Sequence, residues 1–213
     1  MLGYHFVGET LRDGRPIPPD GEWLIYEGPV APCKSGLHMS EHPFDALKYA
    51  PGSTLCLVEL DGDIVAHGTP EQDKHVGRRR RIICRADATT MLRRFAADQA
   101  LSVAHLWDMP DIVREYLTTL DESKPAAWYA ARDAAQEAAS WDAAATAAAW
   151  AARNAATSVS SAWQAATAAA EAASWAVRAA MNTVSTQFDS IRPVVRIEFK
   201  FSVDALLKKK VTV

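Results

Sequence analysis

The fold of the N-terminal half is decided by Gly36-Leu-His-Met-Ser-Glu-His-Pro-Phe-Asp-Ala-Leu-Lys-Tyr-Ala50, followed closely by Thr54-Leu-Cys-Leu-Val-Glu-Leu60. Gly36–Met39 predicts a short strand, and His42–Ala50 predicts a helix with Pro43 in its first turn, where a missing N–H is tolerated. The segment Thr54–Leu60 is almost continuously apolar, which is typical of a central strand. The order strand, helix, strand predicts an α+β fold.

Turn signals divide the flanking sequence into further elements. Dipeptides typical of turns separate short apolar runs, at Asp13-Gly14, Pro51-Gly52 and Asp61-Gly62. Three more strands are predicted by these runs, at Gly3–Val7, Trp23–Tyr26 and Arg79–Cys84. Helical spacing of apolar residues predicts two helices over one face of the sheet, at Thr89–Leu106 and Pro110–Leu120. We therefore expect residues 1–124 to form an α+β head, with its strands in residues 1–88.

Alanine is concentrated in one later segment. The 213-residue chain has 40 alanines, of which 29 lie between residues 126 and 180. This segment contains neither glycine nor proline, and alanine is the best helix former, so residues 125–190 are predicted to form a helical module. Its weak point is Thr157-Ser-Val-Ser-Ser161, five poor helix formers. The module is therefore either one long helix or a hairpin bent there.

Five tryptophans lie at intervals along the helical module, at positions 128, 141, 150, 163 and 175. On a helix they fall on two sides, which favours packing on two neighbours, within a hairpin or between chains. We expect a homo-oligomer that associates through residues 125–182. Stacking on nucleic-acid bases needs interleaved cations, and the segment offers only Arg132, Arg153 and Arg178, which argues against a nucleic-acid partner.

The C-terminal segment, residues 191–213, returns to residues that favour strands. From Val195 to Phe201 apolar and charged residues alternate, which predicts a half-buried strand that could add to the sheet of the head. A basic tail, Lys208-Lys209-Lys210, follows.

Charge and cysteine usage suggest a compartment. The formal net charge is −3, yet Lys74–Arg85 contains six bases and no acid. The N-terminus lacks the basic and apolar regions of a secretory signal, and charged residues interrupt the alanine-rich segment, so neither secretion nor a membrane span is expected. The cysteines Cys33, Cys56 and Cys84 lack metal-site spacing. We expect them to be reduced and mostly buried, the chain to be cytoplasmic, and no metal to be bound.

Three features of the head could carry chemistry. His5 lies in the first predicted strand, His38 and Ser40 lie in or beside the second, and Arg78–Arg81 form a basic strand. Each also has a structural interpretation, since a histidine on a strand is often a hydrogen-bonded packing residue. Alternate residues of a strand face opposite sides, so at most two of the four arginines share a face.

The segment Gly36–Ala50, together with Leu55-Cys-Leu-Val-Glu-Leu-Asp-Gly62, resembles the heart of the ADP-ribosyltransferase fold. In that superfamily a strand of the form Gly-apolar-Tyr/His-x-Ser/Ala/Thr precedes a helix and an apolar strand, and a histidine on an earlier strand forms the first motif. The His-x-Ser form is similar to the RNA 2′-phosphotransferase branch. The whole chain also resembles an uncharacterised phage-type group with alanine- and tryptophan-rich helices.

The resemblance implies an NAD-like or ADP-ribose-like nucleotide as ligand, and no other cofactor. His5 would bond the ribose or a phosphate, His38 would contact the base, and Ser40 would support the pocket wall. From the basic strand, Arg78 and Arg80 would meet phosphate.

One departure from the family pattern concerns catalysis. Transferases of this superfamily need a glutamate on a later strand, and the corresponding stretch offers only Glu71 and Asp73 before the arginines. The first expectation is therefore a protein that binds, and could sequester, the nucleotide in a phage-type accessory or counter-defence role. The alternatives are an active ADP-ribosyltransferase or 2′-phosphotransferase-like enzyme, and an oligomeric scaffold that acts through its helices.

Overall fold

The computed structural model describes residues 1–68, 72–121, 123, 126–137, 143–157, 162–183 and 191–211. Over these residues the chain has a mixed α+β fold with two antiparallel sheets and seven α-helices. It divides into two compact units. The first unit comprises Met1–Ala88 with Glu198–Val213, and the second comprises Thr89–Ile197.

A four-stranded antiparallel sheet forms the centre of the first unit. Its strands lie in the order β1 (Leu2–Val7), β4 (Thr54–Asp61), β7 (Arg79–Asp87) and β2 (Trp23–Ile25). All four strands were predicted from their apolar runs. Because β4 lies between β1 and β7, its residues Leu55, Cys56, Val58 and Leu60 are fully buried. The inward face of this sheet is the core of the unit.

A second sheet of three strands has the order β3 (Leu37–Met39), β6 (Lys74–Gly77) and β5 (Val65–His67). Of these three strands, β3 was predicted from the run Gly36–Met39, whereas β5 and β6 were not predicted. Two backbone hydrogen bonds join the sheets, from Tyr4 N to Ser40 O at 2.7 Å and from Ser40 N to Tyr4 O at 2.9 Å. They hold β3 beside β1.

The predicted short helix follows β3 as α1 (Pro43–Leu47). His42 is its N-cap and accepts a hydrogen bond from Phe44 N through the ring, while Pro43 occupies the first turn, as the sequence indicated.

The second unit is helical, with α2 (Thr89–Ser102), α3 (Asp111–Thr119), α4 (Ala126–Glu137), α5 (Ala143–Thr157) and α6 (Ala162–Thr183). The boundary between the units lies at residue 88, not at residue 124 as predicted. The reason is that α2 packs against α5 and α6. The apolar face of α2 therefore packs within the helical unit, although the spacing of its apolar residues would equally allow it to pack on a sheet.

The alanine-rich segment forms three helices, so the single long helix is wrong. Helix α5 ends at Thr157 and packs along α6, in accord with the hairpin alternative, although residues 158–161 of the predicted bend lie outside the described residues. The division between α4 and α5 was not predicted. The small alanine side chains permit close approach of the helices, and those at positions 148, 151, 165 and 172 are completely buried.

Trp150 of α5 and Trp175 of α6 stack with ring centroids 5.8 Å apart. An arginine covers each ring on the same helix, Arg153 at 4.4 Å from Trp150 and Arg178 at 4.9 Å from Trp175. Both tryptophan rings therefore have packing partners within the same chain. Trp141, on the other side of the predicted pattern, lies outside the described residues.

The stack predicts energetic coupling between α5 and α6. Replacing either tryptophan by alanine should destabilise the second unit, and the double variant should lose less than the sum of the two, by about 0.5–1.5 kcal/mol, because an aromatic pair contributes that much beyond its buried area. Urea unfolding of the four proteins of this cycle measures the coupling. Strictly additive losses would show that the rings do not interact.

The predicted C-terminal strand is wrong, because Ile191–Val211 form helix α7. Its buried residues are Val195, Phe199, Val203 and Leu207, a spacing of four that makes one helical stripe. Ile197 and Phe201, which the alternation placed on the same face as Phe199, are 54% and 69% exposed. The lysine run belongs to the last turns of this helix. No helix among the described residues combines the length and apolar character needed to cross a bilayer.

Candidate functional site

The structure brings together three of the residues singled out from the sequence, His5, His38 and Arg80. His5 lies on β1 and His38 on β3, which the Tyr4–Ser40 backbone pairing holds beside β1. Arg80 reaches β3 from β7, and its Nη1 donates a hydrogen bond of 2.6 Å to the backbone oxygen of His38. The site thus lies where β3 meets the inward face of the four-stranded sheet.

The pKa of each imidazole is lowered, which favours the neutral form at pH 7. Burial first, and then the positive charge of Arg80, hold the pKa of His5 well below 6.5. Burial also lowers the pKa of His38, followed by the charges of Lys74, Arg80 and Arg12. The Nε2 atom of His38 is buried and makes no hydrogen bond within the described part of the chain. A buried ring nitrogen without a hydrogen-bond partner, near positively charged side chains, is a position where a ligand atom could form the missing hydrogen bond.

Arg80 is the first of two buried cations in this part of the fold. It is 7% exposed, and among the described residues it forms no ion pair. Burial lowers the pKa of its guanidinium to about 10, so the group is still charged at pH 7. A buried charge is normally paired with an opposite charge, which makes this arginine the strongest indication of a bound anion.

A second buried cation, Lys74 on β6, lies near His38. It is 9% exposed, and its Nζ lies 4.2 Å from the centroid of the Tyr49 ring. It forms no ion pair with any described residue. Lys74 was not predicted as a site residue. It lies in the base-rich segment Lys74–Arg85, from which Arg78 and Arg80 were chosen.

The remaining predicted wall residue, Ser40, is 2% exposed and is fixed by its backbone pairing with Tyr4. Cys56, opposite His5 in the register of β1 and β4, is fully buried, and burial raises the pKa of its thiol to about 11. Cys56 is therefore an uncharged part of the inward face.

Arg78 does not join the site. Its guanidinium pairs with Asp63 at 2.7 Å and donates to the backbone oxygens of Glu27 and Gly28. Arg78 lies between β6 and β7, where the chain passes from one sheet to the other, so strand alternation does not extend to it.

The other two arginines of the run lie on the outward face of the four-stranded sheet. Arg79 pairs with Asp61, Arg81 pairs with Glu59 at 2.6 Å, and both lie against the ring of Trp23. Of the run 78–81, Arg80 is thus the one that faces the core.

Of the two carboxylate candidates, Asp73 is described by the structure, whereas Glu71 lies outside the described residues. Asp73 accepts a hydrogen bond from Tyr49 Oη at 2.8 Å and lies 3.6 Å from Lys48 Nζ. Burial opposes ionisation of Asp73, but the Tyr49 hydrogen bond and the Lys48 charge outweigh it, so the pKa of Asp73 is lowered. Asp73 is therefore an ionised group already engaged by its neighbours.

Neutral histidines make stability depend on pH. Since the folded chain holds the pKa of His5 below 6.5, the stability it contributes is present above that value and is lost as the pH falls below it. We expect His5→Gln to reduce this loss by up to about 1.4 kcal/mol per pH unit. Urea unfolding at pH 7.5 and 5.5 measures it, with His105→Gln, an exposed position, as control. Equal pH dependence in wild type and His5→Gln would contradict the assigned burial.

Comparison with known proteins places these residues in one segment. Residues 1–94 match a family model described as a domain of unknown function (DUF7666). No curated protein and no solved structure matches the chain significantly. His5, His38, Lys74 and Arg80 all lie within the matched segment.

Proposed function

We propose that the first unit binds a phosphate-bearing nucleotide of the NAD or ADP-ribose kind at His5, His38 and Arg80. The observation that carries this proposal is the buried Arg80 guanidinium, which has no acidic partner among the described residues. An anion there would neutralise a charge that the fold leaves uncompensated. Phosphate fits this role because guanidinium N–H groups match its oxygens in pairs.

The two imidazoles extend the site toward polar parts of a ligand. A neutral imidazole has one donor and one acceptor nitrogen, so it can bond a ribose hydroxyl or a base edge without adding a third charge. The buried, unpartnered Nε2 of His38 is available for such a bond. The resemblance of Gly36–Gly62 to the ADP-ribosyltransferase superfamily supports a nucleotide over other phosphate compounds.

The proposal is for binding without turnover. Transfer of an ADP-ribosyl group needs a carboxylate to stabilise the positive charge that develops on the ribose, as the resemblance implies. Asp73, the candidate that the structure describes, has its charge paired with Lys48 and hydrogen-bonded by Tyr49. A protein with this site would hold the nucleotide rather than consume it.

Calorimetry of the full chain with NAD, ADP-ribose and cyclic ADP-ribose tests this function. We expect saturable heat with at least one of the three at protein concentrations in the hundreds of micromolar, and recovery of the ligand unchanged. The absence of heat with all three would overturn the proposal. Release of nicotinamide from NAD would instead support the enzymatic alternative.

A further inference from the structure

A thiol and an imidazole meet in the first unit, at two residues that the proposed nucleotide site does not include. The Sγ atom of Cys33 lies 3.2 Å from Nε2 of His67. Of the three cysteines, Cys33 is exposed, Cys84 is half-buried and Cys56 is buried. The expectation that the cysteines are mostly buried is therefore wrong for Cys33, which is open to reagents in solution.

Backbone interactions hold both members of this pair in place. His67 is the last residue of β5, is paired with Lys74 of β6, and accepts a 3.0 Å hydrogen bond at its backbone oxygen from Asp73 N. Cys33 lies at the tip of a tight loop that is closed by hydrogen bonds between Ala31 and Ser35, at 2.9 and 3.1 Å. The backbone on each side of the contact is therefore held in place by hydrogen bonds.

Within the described part of the chain, the His67 ring makes no hydrogen bond or ion pair besides its contact with Cys33 Sγ. Within the described ranges no group of three histidine, cysteine or acidic side chains is placed to hold a metal ion. The geometry is thus that of a nucleophile beside a base, without the third ligand of a metal site.

We propose that Cys33 and His67 form a nucleophilic thiol–imidazole pair whose substrates are small disulfides. His67 Nε2 accepts the thiol proton as Sγ attacks one sulfur of the disulfide. The new S–S bond joins Cys33 to that sulfur, the original S–S bond breaks, and the leaving thiolate takes the proton from the imidazolium. One disulfide and one thiol are consumed and one of each is formed, so no further oxidant is required.

The test uses 5,5′-dithiobis(2-nitrobenzoate) with the folded full chain. We expect a fast release of one equivalent of thionitrobenzoate, mapped by mass spectrometry to Cys33 and absent in Cys33→Ser. His67→Gln should slow this phase by about tenfold or more, because a positioned base commonly contributes at least that factor. The exposed His105→Gln should react like the wild type.

Protection of Cys56 and Cys84 from the reagent in His67→Gln reports that the variant is folded. With that protection retained, an unchanged rate in His67→Gln would overturn the proposal. A fast phase that maps to Cys84 instead of Cys33 would overturn it as well. Nucleotide binding plays no part in this measurement, so its outcome is independent of the function proposed for the site at His5, His38 and Arg80.

Discussion

Replacing Arg80 by methionine is expected to weaken nucleotide binding by about 30-fold or more while leaving the free energy of unfolding nearly unchanged. Loss of a buried charged hydrogen-bonding group from an interface typically costs 2–5 kcal/mol, and every 1.4 kcal/mol is a factor of ten in affinity. Stability should respond differently. The buried guanidinium has no acid to offset its desolvation among the described residues, so an apolar side chain of similar length replaces it at little cost.

Arg81→Met is the matched control for Arg80→Met. It changes the next residue of the same strand, but Arg81 lies on the outward face, where it pairs with Glu59. Calorimetry should show wild-type affinity for Arg81→Met, and urea unfolding should place Arg80→Met within about 1 kcal/mol of the wild type or above it. Unchanged affinity in Arg80→Met would remove this arginine from the site. A loss of several kcal/mol in stability would make its role structural.

Replacing Phe199 by alanine is expected to destabilise the first unit by about 3–5 kcal/mol, the usual cost of removing a buried phenylalanine. Phe199 is completely buried, and its ring meets that of Phe44 edge to face with centroids 5.8 Å apart. The same substitution at Phe201, which is 69% exposed, should cost about 0.5 kcal/mol or less.

This pair of substitutions separates a helix from a strand at the C-terminus. Residues two apart share a face in a strand but lie on nearly opposite sides of a helix, so α7 requires unequal effects. Urea unfolding followed by far-ultraviolet circular dichroism gives both values. Similar losses in the free energy of unfolding for the two variants would contradict the helix and support the strand that the alternation predicted.

Local sequence signals were sufficient for much of the first unit. The strands β1, β4 and β7 and the helix α1 follow from apolar runs, turn dipeptides and the position of Pro43. Such signals act over four to eight residues and need no knowledge of the partner element. The strands β5 and β6 were not predicted, and they are held by pairing with each other and by the pairing of β6 with β3.

The C-terminal error has a definite physical source. Between Val195 and Phe201 the alternation of apolar and charged residues fits a strand, but Val195 and Phe199 also fit a helix with a spacing of four. Only the continuation to Val203 and Leu207 decides between them, and the burial of these four residues shows which period the fold uses. The unit boundary at residue 88 likewise depends on which surface α2 covers, which its own amphipathic spacing does not specify.

Part of the candidate site could be predicted from the sequence. His5 and His38 were chosen from the motif pattern, and Arg80 from strand alternation. The same alternation wrongly paired Arg78 with Arg80, because the chain changes sheets at residue 78. Lys74 and Arg12 approach His38 only through tertiary structure. Their contribution is visible in the lowered pKa of His38, a quantity that no local pattern contains.

Histidine ring resonances followed by NMR during a titration with ADP-ribose test the central claim most directly. His5→Gln and His38→Gln assign the two site signals, and His105 serves as the internal reference. The ring signals of His5 and His38 should shift together with saturation in the wild type, and the same shift should need about 30-fold more ligand or more in Arg80→Met. The signal of His105 should not move in either protein. Saturable binding that leaves the His5 and His38 signals unchanged would contradict the account.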